Sequence, residues 1–228
     1  MPRFGLRKRI YAFIPARIRP GTVLAAFELM RRLQRLFGRD YSRRNLPRNR
    51  DSFIKHAAAL ERAGNYIEDQ HSWADTAYGG VTLSYSGCEV IAVYNAVLSL
   101  TGRAPDLPEL IGEFERDGMI LGGRFGTSPA SLEEYCRRKG FGTVSSTDTA
   151  EFDSLAERSR TLVLTIYNDG MDIRRQVHTV SITRGPDGYT AHNVYCDGRT
   201  EGPYSTVGEL IRGINGGRAK PIILYGIS

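Results

Sequence analysis

Apolar side chains near the start of the chain recur at helical spacing. Val23, Phe27, Met30, Leu33 and Phe37 lie three or four residues apart, with Arg31, Arg32, Arg35 and Arg39 among them. This pattern predicts a basic amphipathic helix over 22–38. Residues 1–21 read as an irregular basic tail, and the polar stretch 39–51 reads as a linker. Further helical patterns cover 53–63, 88–100 (stopped by Thr101-Gly102), 107–117 after Pro105, and 129–139, closed by Gly140. Beyond residue 160 the period falls to two. The run 161–167 is apolar and β-rich, and 177–183 alternates. Gly185-Pro186-Asp187-Gly188 turns the chain, and 189–195 returns. A short helix over 205–214 and a closing strand over 221–225 complete the pattern. Helices first and an antiparallel sheet after them make an α+β plan. The expected division is a basic extension over 1–51 and a folded domain over 52–228.

Charge sharpens that division. Residues 1–50 carry fourteen Lys and Arg against Glu28 and Asp40, a balance of +12, while the remainder carries −6. Such an arm suits an anionic membrane surface or a partner protein, and no nucleic-acid reading motif accompanies it. The apolar stretch from Thr22 to Met30 is too short to cross a bilayer, and no clean signal-peptide cleavage site follows it. The expected location is cytoplasmic, with peripheral membrane contact. Cys88, Cys136 and Cys196 are far apart, so neither a zinc motif nor a disulfide framework is predicted. The glycine-rich loop 118–126 lacks the Lys-Ser/Thr ending of a phosphate-binding loop. No cofactor is expected.

One cysteine stands out by position. Ser86-Gly87-Cys88-Glu89 precedes the apolar helical run 90–98. Ser86 is expected to cap that helix, with Glu89 reaching back to complete a capping box. Cys88 then lies in the first turn, where outward-pointing N–H groups and the helix dipole favour thiolate. Cys136, inside a helical pattern, reads as a small core residue.

The base is sought on the hairpin. If Arg184 faces Tyr189 across the turn, His178 falls opposite Tyr195 and Val180 opposite Asn193. These four side chains then share one face and His192 takes the other. His178 and Asn193 become diagonal neighbours, within reach of a side-chain hydrogen bond. Cys88 would be the nucleophile, His178 its base in a thiolate–imidazolium pair, and Asn193 the group that orients the imidazole. The Cys88 N–H would serve an oxyanion.

These residues resemble the papain-like cysteine peptidases, in their order Cys, His, Asn, and within them the branch related to bacteriocin-processing, double-glycine leader peptidases. The resemblance rests on Gly87-Cys88-Glu89-Val90-Ile91-Ala92-Val93-Tyr94-Asn95-Ala96, Gly126-Thr127-Ser128-Pro129, Leu132-Glu133-Glu134-Tyr135, His178-Thr179-Val180-Ser181-Ile182 and His192-Asn193. It covers about residues 75–228. It implies a helical half carrying the cysteine, a sheet half carrying the histidine, a cleft between them, and a peptide or protein substrate, such as a leader peptide. Acyl transfer on the same thioester, or an inactive binding module, are the alternatives. The family places an oxyanion-hole glutamine a few residues before the cysteine, where this chain has Thr82. Ser84 or Tyr85 would have to donate instead, because Gln70 could return only through a loop excursion.

Overall fold

Pro20 sits at the start of α1 (Pro20–Phe37), where its missing N–H costs no helical hydrogen bond. The computed structural model describes residues 19–169, 177–195 and 197–228. On α1 the inner side chains Val23 and Phe27 join the core, and Phe27 meets the Phe125 ring at 6.0 Å. Arg31 is buried beside them. Its guanidinium forms two hydrogen bonds to the Glu134 carboxylate and donates to Glu28 and to the Asp117 carbonyl. Every charge it carries inward is therefore met.

The next helix corrects the expected linker. α2 runs unbroken as Ser42–Arg62, so the boundary placed at residue 51 falls inside a helix. The reason is that α2 buries a polar stripe. Asn45, Asn49 and Ser52 are spaced for one helical face and are all buried. They face β1 (Ala77–Tyr78), β2 (Val81–Thr82) and the segment before them. Asn49 donates to the Ala77 carbonyl and accepts from its N–H. Asn45 donates to the Gly79 carbonyl, and Ser52 bonds Asp75 and Thr76. Hydrophobic periodicity is blind to a face satisfied by hydrogen bonds. Gly79, at φ 62°, turns this small hairpin, and a Cβ there would lie 2.4 Å from the Gly122 carbonyl oxygen.

A single turn, α3 (Leu83–Ser86), leads into α4 (Cys88–Thr101), which ends at left-handed Gly102 as expected. α5 (Leu107–Asp117) and α6 (Ala130–Lys139) complete the helical layer. The sheet contains β3 (Thr143–Ser146), β4 (Thr161–Tyr167), β5 (Val177–Gly185), β6 (Gly188–His192), β7 (Glu201–Tyr204) and β8 (Lys220–Ile227). Its order is β3-β8-β4-β5-β6-β7, and all pairings are antiparallel. α7 (Phe152–Glu157) and α8 (Val207–Gly213) cover the second apolar face of the sheet. α4 lies against β5 and β4 on the other face. This layering brings the start of α4 to the start of β5. Among the described residues no helix is long and apolar enough to cross a membrane.

Candidate functional site

Cys88 is the first residue of α4 and is partly exposed. The expected capping box is absent. Gly87 occupies the cap position, and the Ser86 hydroxyl donates to the Gly123 carbonyl at 2.6 Å. Close approach favours Gly87, since a Cβ there would lie 2.8 Å from the Leu83 carbonyl oxygen. No side chain caps α4, and its first-turn N–H groups are oriented towards the end of the helix where the cysteine sits.

Glu89 turns inward rather than back to residue 86. Its side chain is buried, with the Thr179 hydroxyl beside its carboxyl. Burial is the main force that pushes its pKa up to about 8; the adjacent Cys88 adds to the rise and the Thr179 hydroxyl opposes it. Burial thus favours the neutral acid at Glu89, directly after the thiol. Cys136 is buried, and its thiol is pushed up to about 12.

β5 carries His178 to the same cleft. Pairing of Arg184 with Tyr189 follows the expected register, and so does Ser181 with His192. The ladder stops there. Asn193 has φ 57° and turns out of the strand, so the expected pairs His178–Tyr195 and Val180–Asn193 do not form. The role of Asn193 changes accordingly. Its main-chain carbonyl, not its side chain, meets His178 Nε2 at 2.6 Å. A carbonyl only accepts, so Nε2 carries the proton and Nδ1 is the basic nitrogen. Burial lowers the His178 pKa more than this hydrogen bond raises it, which favours neutral imidazole over the expected imidazolium.

The Asn193 side chain does something the sequence did not suggest. Its Oδ1 accepts from the Gln70 N–H at 3.1 Å, and its Nδ2 donates to Gln70 Oε1 at 3.4 Å. Glu68 accepts from the Asn193 N–H and pairs with His192 Nδ1 at 2.5 Å. His192 Nε2 bonds the Thr183 hydroxyl, and its ring stacks on Tyr66. His192 is thus committed on the other face, as the alternation predicts, and it pins the segment 66–70 to the sheet. The hairpin β1–β2 then returns the chain, so that the Gln70 amide donates to the carbonyls of Leu83 and Ser84, both at 3.1 Å, just before Cys88.

Cys88, His178, Gln70, Ser84, Tyr85 and Phe27 line one cleft with a cavity volume of about 150 Å³. The structure thus brings together Cys88, His178, Ser84 and Tyr85, and it adds Gln70 to the same lining. The loop excursion that the spacing made improbable is the Gly79-Gly80 hairpin. That dipeptide between two short β-prone runs is the sequence signal that could have revealed it. Cys196 lies outside the described residues. Among the described residues no cluster of His, Cys, Asp or Glu is arranged to hold a metal ion. Comparison of the chain with family models, with curated proteins and with solved structures finds no match.

Proposed function

We propose that this protein is a papain-like thiol hydrolase acting on a peptide or on the leader segment of a protein. The observation that carries this reading is the convergence of a first-turn cysteine, an oriented neutral histidine and a glutamine amide on one cleft. The α+β layout, with the thiol on the helical layer and the imidazole on the sheet, is compatible with it.

The chemistry follows from the protonation states. His178 Nδ1 takes the thiol proton as Cys88 sulfur attacks the substrate carbonyl carbon. The carbonyl π electrons move to oxygen, and the Cys88 N–H at the helix start receives that charge. The Gln70 amide is the second donor. Its two N–H bonds rest on the Leu83 and Ser84 carbonyls, so serving the oxyanion exchanges one of them for the substrate oxygen. The imidazolium returns its proton to the departing amine, leaving a thioester. Water, deprotonated by His178, then releases the acid and restores the thiol. Ser84 and Tyr85 become walls of the cleft rather than its donors.

The test is alkylation of the intact protein by iodoacetamide, followed by mass mapping, alongside hydrolysis of a peptide library. Cys88 is expected to label well ahead of Cys136, and His178→Ala to slow that labelling by at least an order of magnitude. Cys88→Ala is expected to abolish hydrolysis while the protein stays folded. Labelling of Cys88 at the same rate with and without His178 would remove the catalytic reading.

A further inference from the structure

The first helix presents a second apolar face that the described residues leave exposed. Its inner face, Val23, Phe27 and Arg31, is buried on the domain. Leu29, Leu33, Leu36 and Phe37 follow the spacing i, i+4, i+7, i+8 and form one stripe on the outer side. Their exposures are 59%, 47%, 73% and 83%. They make up four of the seven large apolar side chains exposed among the described residues. A contiguous exposed stripe of this kind marks a docking surface.

Charge identifies the occupant. Arg32 borders the stripe, 71% exposed while it pairs with Glu28, and Arg35, paired with Glu134 at 3.5 Å, lies beyond it. Residues 19–50 carry nine arginines against two acids, and the preceding eighteen residues add five basic side chains and no acid. A second copy docked through this face would bring two such clusters together, and repulsion opposes that contact. An anionic lipid surface satisfies both features at once. Apolar side chains enter the headgroup boundary while arginines meet phosphates.

We propose that the outer face of α1 seats this protein on anionic bilayers. The Arg31–Glu134 pair, its guanidinium buried and its carboxylate half-buried, fixes the helix to the body, so the docked face is held in one orientation. The inner face of the same helix supplies Phe27 to the wall of the cleft. The cleft then stands about one helix diameter, roughly 10–12 Å, from the lipid surface. Segments presented at the membrane would be within its reach. The docking itself does not depend on the thiol chemistry, and the two readings fail separately.

The experiment is co-sedimentation of the full chain with vesicles of phosphatidylcholine alone, or with about 30 mol % phosphatidylglycerol, at low and high salt. The variant is Leu33→Gln/Leu36→Gln/Phe37→Gln, which preserves helix propensity and touches exposed positions only. The wild type is expected to sediment with anionic vesicles, to stay in solution with neutral ones, and to be released by salt. The variant is expected to bind at least tenfold more weakly, with an unchanged circular dichroism spectrum and denaturation midpoint. Equal binding by variant and wild type would overturn the proposal, because charge alone would then explain it. Failure to bind anionic vesicles would overturn it too. So would a dimer in sedimentation velocity that the variant dissolves, which would make the second copy the occupant.

Discussion

Asn193 shows how much one backbone angle decides. At φ 57° it leaves β6, aims its carbonyl at His178, and turns its side chain to Gln70. Asparagine tolerates this region better than most side chains. Asn193→Gly keeps the conformation and the carbonyl but deletes the clamp on Gln70. Its activity should therefore resemble that of Gln70→Ala, with kcat reduced roughly 10²–10³-fold and KM little changed, as for loss of an oxyanion donor. Steady-state kinetics of both variants and of the pair checks this, because two changes on one donor should not add. A second expectation concerns pH. The lowered His178 pKa places the acid limb of kcat/KM below 6.5, so activity persists in mildly acidic solution and is lost as His178 protonates. A limb above pH 6.5 would contradict the neutral-base mechanism.

Among the elements, α2 holds its place by hydrogen bonds rather than by apolar area. Asn49→Ala would leave the Ala77 N–H and carbonyl buried without their partner. That loss should cost about 2–3 kcal/mol, read as a lower denaturant midpoint with an unchanged slope. The same stripe explains why residues 42–51 read as a linker. Arg43, Arg44, Asn45, Arg48, Asn49 and Arg50 offer no apolar periodicity, yet the asparagines are buried. By contrast, α4, α5 and α6 were legible with their stops, because their apolar spacing and left-handed Gly102 and Gly140 are local signals. β6 ends at His192, short of the expected 195, since its end is set by contact with Glu68 rather than by its own residues.

At the scale of the molecule, two buried carboxyls bias stability with pH. Glu89 is pushed up to about 8 and Glu115 to about 7, each chiefly by burial. For an acid raised in the folded state, the native form binds more protons than the unfolded form between the two pKa values. The stabilising effect is thus present below about 4.5 and is lost as pH rises through 7 and 8. Urea denaturation across pH 5–9 should show stability falling towards alkaline pH by an amount on the order of a few kcal/mol. Glu89→Gln/Glu115→Gln should flatten that slope. His178 acts in the opposite sense. Its lowered pKa adds stability above 6.5 that is lost as pH falls, so it offsets part of the carboxyl slope below that pH.

The α+β order, the position of Cys88 at a helix start, the hairpin register near its turn, and the placing of His192 on the face away from His178 are legible in the chain alone. These depend on residues close together along the chain, where spacing and turn chemistry act directly. The tertiary fold places the Gln70 amide on the carbonyls of Leu83 and Ser84, aims the Asn193 carbonyl at His178, buries Glu89, and gives α1 an inner and an outer apolar face. Each of those depends on contacts between residues far apart in the chain. They arise from burial and from backbone hydrogen bonds, which leave no periodic trace in the sequence.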